Sequence, residues 1–293
     1  MPKWLLYAVL TLLLWGGWGV LGKVVGDTLS PSESQAFSTF GLLPLIAVLG
    51  LRKPSACSPR MSRGLAFGFL SGLLAGAGNI AYYYALSTGG AASTVTPLTA
   101  LYPVVTIVLA VLFLREKVSR IQLLGIGGAL ASIYLFNPLA SGEGVKSIWH
   151  AYTLVPIALW GVSAFIQKLS TNDVSSELST LAFWVSFLPI AGVIFLTQPV
   201  HWNLPIMTWV WVVLLGVLFG LGNLTLLAAY GSGGKASVVT PLAGLYSMVT
   251  IPLAILLLNE RIGIRDGAGI ALALGAVVAL SREPGTELCA TKT

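Results

Sequence analysis

The sequence predicts an all-α membrane protein, with ten transmembrane helices arranged as two inverted five-helix repeats. Three observations carry that prediction. The 293 residues are 56% hydrophobic and 9% charged, with a mean hydropathy of +0.88. Long apolar runs recur between short polar or basic breaks. The second half of the chain also repeats the first.

Composition comes first because it sets the solvent. Soluble domains carry roughly 25% charged residues, and a water-soluble core cannot hide this much apolar surface. Lipid is then the solvent, and spanning segments must be helices that satisfy their own backbone. The 33 glycines fit, because small residues let membrane helices approach closely. A net charge of +6 would suggest nucleic acid in a soluble protein; here it reads as basic cytoplasmic loops, with no nucleic-acid partner. Cys57 and Cys289 lie in a basic loop and in the polar tail, outside any CxxC or Cys/His spacing, so neither metal nor cofactor is expected.

A spanning helix needs about 20 mainly apolar residues. The spans read 4–25, 36–51, 64–87, 92–114, 122–136, 149–169, 178–196, 207–229, 236–258 and 262–280. The first begins like a signal peptide, but it lacks a small-x-small cleavage site and is long enough to span. Ser87-Thr88-Gly89-Gly90 and Gly231-Ser232-Gly233-Gly234 read as tight helical-hairpin turns. Basic residues then set orientation. With the N-terminus inside, Lys3, Arg52, Lys53, Arg60, Arg63, Arg115, Lys117, Arg120, Lys168, Lys235, Arg282 and Lys292 fall on the cytoplasmic side. Only Lys23, Lys146, Arg261 and Arg265 fall outside. Twelve against four places both termini in the cytoplasm, in what reads as a bacterial inner membrane.

The repeat is legible without gaps. Residues 79–117 align on 223–261 at an offset of 144, with about half the positions identical. Asn79 matches Asn223, Pro97 matches Pro241, Tyr102 matches Tyr246 and Glu116 matches Glu260. With a shift of one, Trp15-Gly16 and Lys23 match Trp160-Gly161 and Lys168. Apolar helices resemble one another by chance; shared Asn, Pro, Tyr and Glu in register do not. Residues 1–140 and 147–283 form the two repeats, followed by a polar tail at 284–293. Five helices per repeat is an odd number, so the second half enters the membrane from the opposite side. That inverted architecture recurs in secondary transporters, with the substrate near mid-membrane where the repeats meet.

These features resemble a known family. The two five-helix repeats, the Trp15-Gly16-Gly17-Trp18 run, the TPLxxLYP-like run at 96–103 and the Glu-Lys/Arg ending of the fourth helix are similar to the drug/metabolite transporter superfamily, EamA-like branch. The resemblance covers nearly the whole chain. It implies transport of a small molecule (an amino acid, sugar, drug or other metabolite) without naming the cargo, and no enzymatic activity.

Several residues are candidates for a substrate path. Pro97 and Pro241 free the carbonyls of Ser93 and Ser237. They read either as kinks lining a cavity or as packed kinks satisfied by Thr94 or Thr240. Asn79 and Asn223 sit inside apolar helices, as substrate ligands or as interhelical glue. Trp15, Tyr82, Tyr102, Trp160 and Tyr246 are candidates for an aromatic lining. Lys23, Lys168 and Lys235 either charge the mouths or act as snorkelling and positive-inside residues. No Asp or Glu falls in the middle of a span. Proton-coupled carriers usually keep an ionisable intramembrane relay, so facilitated diffusion, exchange or a coupling not built on a buried carboxylate is expected. Gly64, Gly68, Gly72 and Gly76, and Gly267, Ala271 and Gly275, form small-residue stripes. Packing within the chain is expected of both, with a monomer or weak homodimer as the assembly. A lipid or lipid-linked-sugar flippase of the same fold is the main alternative. An intramembrane enzyme would need a Ser/His pair or metal cluster at depth, and none is visible.

Overall fold

The computed structural model describes residues 2–52, 59–115, 119–136 and 148–280, and within them every regular element is a helix. In chain order these are α1 (Lys3–Gly26), α2 (Pro31–Leu51), α3 (Met61–Ser87), α4 (Ala92–Thr99), α5 (Pro103–Leu114) and α6 (Arg120–Phe136). The second half holds α7 (Trp149–Asp173), α8 (Ser176–Val185), α9 (Phe187–Thr197), α10 (Ile206–Gly231), α11 (Ala236–Gly244), α12 (Ser247–Leu258) and α13 (Ile264–Leu280). The pairs α4–α5, α8–α9 and α11–α12 each run as one interrupted span. Eight segments are long and apolar enough to cross a membrane. The other two helices, α6 and α13, have 17 residues each, about 25 Å at 1.5 Å per residue. Large apolar side chains such as Leu51, Leu196 and Ile264 point outward, as lipid permits.

Local chemistry explains the boundaries. Ser30 caps α2 in a reciprocal box with Glu33, five residues before the apolar run begins, so polar capping extends this span beyond its apolar stretch. Ser175 caps α8, and Ser119 forms a similar box with Gln122 at the start of α6. The two expected hairpin turns are Schellman-type caps. Gly89 and Gly233 adopt φ +108° and +92°, which a side chain resists, and Gly90 N–H and Gly234 N–H bond back to the Ala85 and Ala229 carbonyls.

The interruptions are not at the prolines themselves. α4 continues through Pro97 to Thr99 and α11 continues through Pro241 to Gly244. The chain then tightens, with Leu101 and Tyr102 bonding three residues back to Leu98 and Thr99, and Leu245 and Tyr246 to Leu242 and Ala243. The Ser237 carbonyl freed by Pro241 receives Gln122 Nε2 at 3.4 Å. The satisfying group therefore comes from another helix and not from Thr240, whose hydroxyl meets Tyr230 at 2.7 Å.

The halves pack by exchange. α3 lies on α7 and, correspondingly, α10 on α1; α5 packs on α7 as α12 packs on α1; α6 and α13 pair with each other. A Cβ on Gly16 would collide with Val249, and one on Gly161 with Val105, its repeat mate. Thr250 Oγ1 donates to the Gly16 carbonyl at 2.9 Å, and Thr106 Oγ1 donates to that of Gly161 at 2.9 Å. The tryptophan-glycine pairs are thus the points where each half lets the other's broken helix approach. The stripe Gly64, Gly68, Gly72 and Gly76 packs, as expected, against Val174, Ala182, Ser186 and Ile190. The stripe Gly267, Ala271 and Gly275 does not: it faces outward, because α13 turns Ile270, Ala273, Ala276 and Val277 inward instead.

Candidate functional site

A cavity lies where the halves meet. Its described walls come from α1 (Trp15, Trp18), α3 (Ala75), the α4–α5 break (Tyr102), α7 (Trp160, Ser163, Ala164, Gln167), α8 (Phe183), α10 (Phe219, Asn223, Leu226) and the α11–α12 break (Tyr246). Of the residues singled out in the sequence, it gathers Trp15, Tyr102, Trp160, Asn223 and Tyr246.

Those aromatics meet across the halves with their partners exchanged. Trp15 stands edge-on to Tyr246, with ring centroids 6.1 Å apart and planes at 84°. Trp160 stands edge-on to Tyr102 at 6.1 Å and 89°. The indole N–H of Trp15 donates to the Phe219 carbonyl at 3.4 Å, and that of Trp160 to the Ala75 carbonyl at 3.3 Å, again at repeat-related positions. Gly222 and Gly78 leave the space these indoles occupy. The tyrosine hydroxyls reach the opposite broken helix, Tyr102 toward the Thr240 carbonyl at 3.5 Å and Tyr246 toward Thr99 at 3.4 Å. Four large rings are therefore fixed in place by the breaks themselves.

The remaining sequence candidates lie elsewhere. Asn79 is buried outside the lining, and its Oδ1 has no partner among the described residues. Tyr82 stacks on Trp18 at 4.9 Å and bonds Thr96 at 3.0 Å and the Gly19 carbonyl at 3.3 Å, filling space rather than bounding it. Pro97 and Pro241 are buried one turn before the breaks. Lys23 Nζ donates to the Leu86 carbonyl at 3.0 Å, at the carbonyl end of α3 where the helix dipole favours a cation, and Lys168 Nζ to that of Gly234 at 3.3 Å, in the turn between α10 and α11. Lys235 is exposed at the start of α11. Cys57, Glu116, Lys117 and Cys289 lie outside the described residues.

Sequence reasoning missed three polar contributors. Ser163 and Gln167 line the cavity from α7, and both would have emerged from asking which polar residues share the face of Trp160. Ser163 is bonded to the Ser71 carbonyl at 2.8 Å, but Gln167 Oε1 has no partner among the described residues. The third is Glu260. Its carboxylate accepts from Ala92 N and Ser93 N, each at 2.8 Å, and so caps α4 from the end of α12 in the other half. Asn223 is the extreme case of an unmet polar group: it is 1% exposed, and neither Oδ1 nor Nδ2 is bonded within the described residues. Such a group costs on the order of 1–3 kcal/mol.

Eight apolar spans, cross-packed about an aromatic cavity and with helix as the regular element throughout the described residues, define an integral membrane protein with an internal repeat. Its family follows from direct comparison. The chain belongs to the EamA-like transporter family, whose model matches it twice, over residues 2–137 and 147–282. An uncharacterized protein of Methanocaldococcus jannaschii is 36% identical over 73 residues, which is 25% of this chain. The chain spans about half the length of that relative, 53%. A protein of known crystal structure superposes with a TM-score of 0.66 over 94% of each chain at 16% identity, a likeness of fold.

Proposed function

We propose that the protein moves a small metabolite across the cytoplasmic membrane by alternating access through the central cavity. The observation that carries this reading is the cavity's place: it lies between the two halves, at paired helix breaks, with Asn223 left unbonded in its wall. Irregular backbone at membrane depth is tolerated where it lines a cavity, and repeat interfaces are where transporters of this build hold substrate. Ten spans, with α6 and α13 as the two shortest, make each repeat (1–140 and 147–283) a five-helix unit of opposite sense. The exchanged contacts between repeat mates support a two-fold relation between the repeats. The tail 284–293 and both termini are then cytoplasmic, in a bacterial inner membrane, and the working unit is a monomer or weak homodimer. The described lining residues include no carboxylate or histidine, which favours facilitated diffusion or exchange over a buried proton relay.

The test is flux. Purified protein in proteoliposomes is expected to equilibrate or exchange at least one labelled metabolite from a mixed panel, saturably. Flux of a fluorescent lipid with no soluble compound moved would replace this reading with a flippase. Orientation has its own test: Cys57 and Cys289 should react with an impermeant maleimide only after the cells are opened, and labelling of either in intact cells overturns it.

A further inference from the structure

Resting on the transport reading, the cavity also carries information about cargo chemistry. Seven of its described lining residues are aromatic: Trp15, Trp18, Tyr102, Trp160, Phe183, Phe219 and Tyr246. No Asp, Glu, Lys, Arg or His is among the described walls. A net charge taken from water into such a site would meet no counter-charge, and its desolvation would go unanswered. The unmet polar capacity is of one kind, carboxamide. Among the described residues, Asn223 presents both an unbonded acceptor and an unbonded donor on one planar group, and Gln167 adds a second unbonded acceptor. Both residues are at least nine-tenths buried, at 1% and 3% exposure.

We infer that the cargo is an uncharged planar heteroaromatic molecule carrying adjacent donor and acceptor atoms, such as a carboxamide, lactam or aminopyrimidine edge. A carboxamide pairs with that edge through two parallel hydrogen bonds, as Asn and Gln do with the adenine edge in nucleic acids. The rings around it supply faces and edges for a flat body. Ser163, Gln167 and Asn223 all belong to the second half, so the cargo's polar edge points toward α7 and α10.

The test uses purified protein in detergent, read by thermal shift and by equilibrium binding. The neutral probes are nicotinamide, adenine and hypoxanthine. The charged ones are nicotinate, the 1-methylnicotinamide cation and the zwitterion tryptophan. At least one neutral probe is expected to bind saturably, and at least about tenfold more tightly than any charged one, the factor expected for one lost hydrogen-bonding interaction or more. N,N-diethylnicotinamide, which lacks the donor, should bind at least about tenfold more weakly than nicotinamide if nicotinamide is the ligand. Asn223→Leu removes the unmet amide while keeping its bulk, so it should weaken binding at least tenfold and raise the melting temperature. Gln167→Leu should act in the same sense, more weakly. Saturable binding of a charged probe with equal or better affinity overturns the inference. So does binding unchanged in Asn223→Leu, or the absence of binding by all three neutral probes at millimolar concentration. Binding without flux in proteoliposomes would remove the transport reading and leave the ligand class standing; flux of charged compounds alone would do the reverse.

Discussion

The two halves share a plan, yet the serine and both carboxamides in the described wall of the cavity between them, Ser163, Gln167 and Asn223, come from the second. At repeat-related positions the first half carries Trp18 and Tyr82 where the second carries Ser163 and Leu226. Trp18 and Tyr82 stack at 4.9 Å and are nearly fully buried, so they fill their own side. A hydroxymethyl and an isobutyl group in their place leave room for a cavity. Gly22 likewise corresponds to Gln167, so polarity enters on the side where bulk has left. A duplicated fold thus becomes a directional site through a few side-chain volumes, with the backbone plan shared.

The strongest way to break this comparison is to make the second half imitate the first. Leu226→Tyr should place a ring in the cavity and lower flux more than tenfold while the protein still folds, since overpacking costs typically about 1–3 kcal/mol. Transport at the normal rate by a folded Leu226→Tyr protein would show that cargo passes elsewhere. The reverse change, Tyr82→Leu, should open space on the first side. Losing the ring and its hydroxyl contacts is expected to cost about 2–4 kcal/mol, read as a lower melting temperature.

Next in size is the cap across the halves. Glu260→Ala strips two charge-assisted bonds from the start of α4 and should cost about 1–2 kcal/mol. Glu260→Gln should recover part of that, because one amide oxygen can still accept. Comparing both with Glu116→Ala, the repeat mate, measures whether the two ends of the molecule are latched equally. The smallest effect concerns an unshared pair. Arg63 Nε donates to Asp173 Oδ2 at 2.7 Å and Nη2 to Oδ1 at 3.0 Å, tying α3 to α7. The corresponding positions hold Met207 and Thr28, with no such pair. With Arg63 about half exposed, Arg63→Met should lower the melting temperature least of these variants, and less still at high salt.

Much of the plan was legible in the residues. Apolar runs located the helices to within a few positions, because lipid demands continuous helix wherever the chain is apolar. The Trp-Gly pairs, Asn223, Tyr102 and Tyr246 were found through repetition. What misled was assigning the break to Pro97 and Pro241. A proline inside a short helix deletes one bond, and here the chain absorbs that by continuing one turn and tightening at Tyr102 and Tyr246. Pro103 gives a local reason for restarting the helix in the first half, but Ser247 gives none in the second, so the symmetric break there is imposed by packing.

Repetition also predicted too much symmetry. Asn79 and Asn223 are equal in sequence and both are buried, but only Asn223 belongs to the described cavity lining. The sequence by itself determined the helical membrane class, the two repeats and the pool of aromatic and amide groups, since those follow from hydropathy, length and register. Only the tertiary structure decided that Trp15 meets Tyr246 across the halves, that Gln122 answers the carbonyl freed by Pro241 and that Glu260 caps α4. Each of these joins residues more than a hundred positions apart, and such contacts depend on how interdigitated helices stack, which no local pattern encodes.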